Sequence, residues 1–127
     1  MIKVLLLVGS PRGKKSASTI IGQPLLQKLR EKGMETKSLW LIRHFRTEEK
    51  LNQVHEAVDW ADIVILTAPL YDDCQPFIVA KTMESIAGRG KIKTKKRFIP
   101  IINCGFAESS HITAVAISIY RKFAQSV

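Results

Sequence analysis

The chain has 127 residues, which suits one domain and leaves little room for a second. Its hydrophobic fraction of 46% is enough to build a core, and no hydrophobic run approaches the roughly 20 residues that span a bilayer. No signal-peptide cleavage pattern follows the hydrophobic start at residues 2–8, so this start is interpreted as a buried strand. We therefore predict a single cytoplasmic domain over residues 1–127 with no membrane partner.

The cysteines and the charge exclude some classes of site. Cys74 and Cys104 form no C-x-x-C pair and no zinc-type spacing, so no metal site is predicted. The formal net charge of +9 is uneven, because six of the cations lie within residues 89–97. This basic segment has no interleaved aromatic residues, which favours a solvated loop, with a nucleic-acid surface as the alternative.

Four hydrophobic runs typical of strands alternate with four helical patterns. The strands are predicted at 2–8, 36–42, 63–68 and 98–103, and the helices at 18–32, from 47, at 76–88 and from 109 or 110. Thr47 is a favourable helix cap, Pro76 suits a first helical position, and Gly33 suits a left-handed helix end. Pro24 removes a hydrogen bond inside the first helix, so a kink there or an irregular first turn is expected.

The alternation of strands and helices predicts an α/β protein in three layers. A parallel sheet with right-handed crossovers would have helices on both faces. Ligands of such sheets bind outside the carboxyl ends of the strands, near the point where strand order reverses. The loops after strands one, three and four are therefore the candidates for a binding site.

The loop after strand one, residues 9–19, combines two glycines, four hydroxyl side chains and three cations before a helix. Unpaired amides at a helix N-terminus favour an anion, and neighbouring side chains add donors. The candidate phosphate-binding residues are Ser10, Arg12, Ser16, Ser18 and Thr19. A capped turn with solvated cations is the alternative. The nucleotide P-loop pattern is not met, because three residues rather than four separate Gly9 from Gly13, and no G-x-G-x-x-G occurs.

The loops after strands three and four carry residues that suit a planar ring. Pro69 and Pro76 stiffen the first of them, and Tyr71 offers a flat aromatic face. In the second, Gly105 would allow the backbone to approach a ligand closely. Plain connections are the alternative for both loops. His111 has no assignable partner and is interpreted as a surface or capping residue, so no catalytic side chain is predicted.

Three sequence segments carry a resemblance to a known family. Residues 9–12, Gly-Ser-Pro-Arg with the following Ser/Thr cluster, resemble the phosphate loop of NADPH-dependent FMN reductases. Residues 68–71, Ala-Pro-Leu-Tyr, resemble the second flavin loop of that family. Residues 103–106, Asn-Cys-Gly-Phe, resemble the third loop of its NAD(P)H-dependent oxidoreductases. The three segments occur in the family's order along the whole chain.

The resemblance implies a flavodoxin-like fold and an FMN-binding oxidoreductase. Hydride would pass from NADPH or NADH to the flavin, and electrons would pass on to a small-molecule or protein acceptor. The candidate phosphate-binding residues of the first loop would hold the FMN phosphate. Residues implied to lie beside the flavin ring are Pro69, Leu70, Tyr71, Asn103, Cys104 and Gly105.

The sequence departs from the family pattern in three ways. Ala17 replaces a polar residue of the phosphate loop, and Asp72 and Asp73 bring negative charge near the expected flavin. The usual strand order is 2-1-3-4-5, but only four strands, in the order 2-1-3-4, are predicted here, so two interpretations are open: a partner subunit covers the fourth strand, or the chain is C-terminally truncated. The fourth strand would be an exposed edge, and a homodimer is expected by resemblance to the family. A flavin-free module that acts by protein association is the alternative function.

Overall fold

The computed structural model describes residues 1–69, 76–88, 96–103 and 118–125. Strands and helices alternate along these residues. The strands are β1 (Lys3–Val8), β2 (Glu35–Trp40), β3 (Ile63–Pro69) and β4 (Arg97–Asn103). The helices are α1 (Ala17–Glu31), α2 (Glu48–Trp60), α3 (Phe77–Gly88) and α4 (118–124).

The four strands form one parallel sheet in the order β2-β1-β3-β4. Val8 of β1 lies opposite Trp40 on one side and Thr67 on the other. Pro69, the last residue of β3, lies opposite Asn103, the last residue of β4. The predicted α/β fold and strand order are confirmed, and the carboxyl ends of the strands meet at one edge of the sheet.

The central strand β1 is buried on both faces, and its side chains divide between two cores. Val4, Leu6 and Val8 pack with Leu26 of α1. The alternating side chains of β1 join the opposite core, which contains residues of α2, α3 and α4. This division is the period-two pattern of a strand covered by helices on both sides, and it places α1 alone on its face among the described helices.

The predicted end of the second strand is wrong by two residues. A strand was expected to continue to residue 42, but β2 ends at Trp40, and Leu41–Arg43 form a short 3-10 turn. Leu41 is only 1% exposed and packs in the core that contains α2 and α3. The burial of Leu41 in that core explains why the chain leaves the sheet earlier than its hydrophobic pattern indicates.

The helix boundaries follow local capping chemistry. Ser16 caps α1 and Thr47 caps α2, because each side-chain oxygen accepts the amide hydrogen three residues later. Helix α1 continues through Pro24 to Glu31. Pro76 precedes α3 instead of opening it, and its carbonyl accepts the amides of the first turn. The predicted start of the fourth helix lies outside the described residues.

Candidate functional site

The carboxyl ends of β1, β3 and β4 are joined by direct hydrogen bonds. The amide of Gly9, just after β1, donates to the carbonyl of Thr67 across 2.7 Å. The hydroxyl of Ser18, in the first turn of α1, donates to the side-chain oxygen Oδ1 of Asn103 across 2.8 Å. The first loop and the ends of β3 and β4 therefore lie together, as the sequence indicates.

Residues 9–19 form a compact connection, the β1–α1 turn. The carbonyl of Ser10 accepts the amide of Gly13 at 3.1 Å, and the Ser10 hydroxyl accepts the amide of Arg12 at 3.2 Å. Gly13 has a φ of +63°, a left-handed conformation that L side chains adopt only with strain. Gly13–Lys15 then form a 3-10 turn that leads to Ser16, the cap of α1.

The first turn of α1 presents amides that can bind an anion. The amide of Thr19 is satisfied by the Ser16 hydroxyl at 3.1 Å. Among the described residues, the amides of Ala17 and Ser18 have no hydrogen-bond acceptor. They point out of the helix N-terminus, where the helix dipole also favours negative charge. This pair of amides is the feature of the turn that best suits a phosphate group.

The charge of the turn matches that geometry. Arg12, Lys14 and Lys15 are all exposed, and the first turn of α1 carries no acidic residue. The turn itself contains no acidic side chain either. Three cations beside two amides that have no acceptor in the described part of the chain would attract a dianionic group.

The hydroxyl groups of the turn are directed into the protein. Ser10, Ser16 and Ser18 are at most 2% exposed. Ser16 Oγ and Thr19 Oγ1 both donate to the carbonyl of Gly13, at 2.7 and 2.8 Å, while Ser18 donates to Asn103. The assignment of these hydroxyls as phosphate donors stays a prediction, and the structure gives three of them a bracing role within the fold.

The remaining predicted site residues divide into two groups. Pro69 is buried at the end of β3, and Asn103 is half-buried at the end of β4. Leu70, Tyr71, Cys104 and Gly105 lie outside the described residues, as do Asp72, Asp73 and His111.

Sequence reasoning missed Trp40, whose indole lies against the β1–α1 turn. Its Nε1–H donates to Thr19 Oγ1 at 3.1 Å, and the ammonium of Lys14 lies 5.3 Å from the ring centroid. Trp40 ends β2, and no sequence motif connects this strand with the turn, so only the pairing of β2 with β1 could have indicated the contact.

Other kinds of site find no support in the described part of the chain. No group of three or more His, Cys, Asp or Glu side chains there could hold a metal ion. No helix in the described ranges is long and hydrophobic enough to cross a membrane. Of the basic segment 89–97, only Lys96 and Arg97 are described. The Lys96 ammonium donates to the carbonyls of Asp59 and Ala61, at the end of α2.

Comparison with solved structures identifies the same architecture in several oxidoreductases. A candidate quinone reductase from Klebsiella pneumoniae has 17% sequence identity and a TM-score of 0.68, over 86% of this chain and 62% of that one. FerB, an NAD(P)H:acceptor oxidoreductase from Paracoccus denitrificans described as a flavoenzyme, has 20% identity and a TM-score of 0.75, over 99% and 72%. An NAD(P)H:quinone oxidoreductase from Methanothermobacter marburgensis has 17% identity and a TM-score of 0.75, over 94% and 74%.

These likenesses show the fold, and the chain spans only 62% of the length of the Klebsiella protein. No curated protein matches the chain at a significant level. The sequence model of one family, however, matches residues 2–86, which include the whole β1–α1 turn and the end of β3. The chain therefore belongs to the NADPH-dependent FMN reductase family.

Proposed function

We propose that this chain is an FMN-binding oxidoreductase that takes hydride from NADPH or NADH and passes electrons to a small-molecule or protein acceptor. The observation that carries the proposal is the pair of amides, Ala17 and Ser18, that find no acceptor among the described residues and lie within the cationic β1–α1 turn. Membership in the NADPH-dependent FMN reductase family supports the choice of FMN and NADPH. Bound FMN would supply the redox chemistry, because a flavin accepts hydride and donates electrons.

The described residues fit the phosphate end of FMN. The amides of Ala17 and Ser18 would each donate a hydrogen bond to phosphate oxygens, and Arg12 would add a charge-assisted donor from the exposed side. Gly13, in its left-handed conformation, shapes the turn that carries them. The protein's contribution is therefore to bind and orient, which explains why no catalytic side chain is proposed.

Only two described residues support the part of the proposed site that would hold the flavin ring. Pro69 and Asn103 lie opposite each other where β3 and β4 end, beside the β1–α1 turn. We propose that these two residues border the flavin ring, with Leu70, Tyr71, Cys104 and Gly105 of the adjoining loops. Family resemblance supports these positions, and Ser18 connects the phosphate end to Asn103.

Titration with FMN tests this proposal directly. Purified protein is expected to quench the fluorescence of added FMN and then to oxidise NADPH or NADH in an FMN-dependent manner. Arg12→Ala should weaken FMN binding, while the control Arg43→Ala, an exposed cation outside the turn, should not. Protein that neither binds FMN nor quenches it would contradict the proposal and favour a flavin-free module that acts by protein association.

We also propose that residues 1–127 form one domain that assembles as a homodimer. Among the described strands, β4 lies at an edge of the sheet, where Ile99 is 44% exposed and Pro100 interrupts the backbone donors. Proteins usually cover or pair an exposed hydrophobic edge strand, and a second copy of the chain could do so here. Light scattering at micromolar concentration should give the mass of a dimer, and the mass of a monomer would contradict this assembly.

A further inference from the structure

Trp40 lies beside the phosphate end of the proposed site, although its strand carries none of the family's flavin loops. It ends β2 and is paired with Val8, the last residue of β1 before the turn. Its side chain is half-buried, and its ring lies beneath the ammonium of Lys14. The turn is therefore bordered on the β2 side by an indole.

The hydrogen bond between the Trp40 indole and Thr19 has a fixed direction. An indole N–H can only donate, so Trp40 Nε1 is the donor to Thr19 Oγ1 at 3.1 Å. Thr19 Oγ1 in turn donates to the Gly13 carbonyl at 2.8 Å, and Ser16 Oγ lies 3.1 Å from the same hydroxyl. A chain of donation therefore runs from Trp40 through Thr19 to Gly13.

The Gly13 carbonyl is the acceptor on which the turn converges. It accepts from Thr19 Oγ1, from Ser16 Oγ at 2.7 Å and from the Ser16 amide at 3.1 Å. A carbonyl oxygen left without donors at a helix N-terminus would place negative partial charge beside an anion site. The two hydroxyl hydrogen bonds would reduce that effect, and they stabilise the turn in which Gly13 has a left-handed φ.

We infer that Trp40 is a positioning residue for the FMN phosphate, an inference that rests on the proposed function. In this role Trp40 would act through Thr19 and not by contact with the phosphate. It fixes the hydroxyl of Thr19, which in turn fixes the Gly13 carbonyl and the shape of the β1–α1 turn. Its ring also attracts the ammonium of Lys14, which lies 5.3 Å from the ring centroid, and so limits the motion of this cation.

The test compares FMN with riboflavin, which lacks the phosphate, in a double-mutant cycle of Trp40→Phe and Thr19→Val. Trp40→Phe keeps a ring beneath Lys14 but removes the N–H, and it should weaken FMN binding about fivefold. Riboflavin binding should not change. In the Thr19→Val background, Trp40→Phe should have no further effect, because its acceptor is already absent. Thr19→Ser, which keeps the hydroxyl, should bind FMN as the unmodified protein does.

Trp60 offers a matched control. It is also half-buried and lies beneath a lysine, with the Lys37 ammonium 4.3 Å from its ring centroid, but it ends α2, away from the turn. Trp60→Phe should leave the affinity for FMN unchanged. Flavin fluorescence quenching gives both affinities, and circular dichroism shows whether each variant is folded.

The outcomes separate the two proposals. If the unmodified protein binds neither flavin, the proposed function fails, and the role of Trp40 fails with it. If the unmodified protein binds FMN and Trp40→Phe binds it equally well, only the positioning role is overturned. If Trp40→Phe weakens FMN and riboflavin by the same factor, the indole has a general structural role, and the positioning role is again overturned.

Discussion

The hydroxyl of Ser18 donates to Asn103 Oδ1 across 2.8 Å, so the first turn of α1 is attached to the end of β4. The two residues are 85 positions apart in the sequence. Ser18 is 1% exposed, so its hydroxyl has little access to water. This contact holds the phosphate end of the proposed site in register with the strand end expected to border the flavin ring.

Replacement of Ser18 tests the strength of that attachment. Ser18→Ala leaves Asn103 Oδ1 without its donor, and the free energy of unfolding should fall by about 1–3 kcal/mol. The measurement is urea denaturation followed by circular dichroism. Ser38→Ala, in β2, removes a hydroxyl for which no hydrogen bond is found among the described residues, and it should change stability by less. Equal losses in the two variants would contradict a specific role for the Ser18–Asn103 bond.

Two glycines with positive φ allow the effect of backbone strain on stability to be measured separately from its effect on FMN binding. Gly13 has a φ of +63° in the β1–α1 turn, and Gly33 has a φ of +93° after α1. An added Cβ would make only an ordinary contact at Gly13, 3.6 Å from Ile42 Cγ2, and would meet no atom within 4 Å at Gly33. Alanine at either position should therefore lower the free energy of unfolding by about 1–2 kcal/mol, mainly through backbone strain. Both variants should therefore lose stability in thermal denaturation, while only Gly13→Ala should weaken FMN binding. An unchanged FMN affinity in Gly13→Ala would show that the conformation of the turn does not matter to the ligand.

Gly9 is required for close packing between the sheet and α3. A Cβ built at this position would lie 2.4 Å from Val79 Cγ2, and Val79 is fully buried. Gly9→Ala should therefore lower the free energy of unfolding by about 1–3 kcal/mol through overpacking. Val79→Ala removes the clashing methyl group, so the double variant should be less destabilised than the sum of the two single variants. Additive losses in urea denaturation would contradict this account of the contact.

Much of the fold could be predicted from the sequence because the strands have distinct hydrophobic patterns. The run at residues 2–8 is hydrophobic on both faces, as a central parallel strand requires, and it forms β1. The strand–helix alternation then gives the parallel sheet. The end of β2 was not predictable, since a hydrophobic residue such as Leu41 suits both a longer strand and a buried turn. Only the packing of Leu41 in the core with α2 and α3 shows that it belongs to the turn.

The meeting of the first loop with the strand ends was predictable, and the contacts of the individual side chains were less so. The rule that ligands bind at the carboxyl ends of parallel strands brought the β1–α1 turn, Pro69 and Asn103 together. The direction of each hydroxyl could not be deduced, because serine and threonine donate to any acceptor in reach and the Gly13 carbonyl is defined only by the folded turn. The position of Trp40 beside the turn could not be predicted, because its contact with Thr19 depends on the pairing of β2 with β1.

The amide signals of Ala17 and Ser18 report most directly on whether the helix N-terminus binds the phosphate of FMN. Nuclear magnetic resonance of ¹⁵N-labelled protein would follow both signals during titration with FMN and, separately, with riboflavin. We predict that both amide protons shift markedly with FMN and much less with riboflavin, since only FMN carries the phosphate. FMN that binds while leaving both amides unchanged would contradict the account.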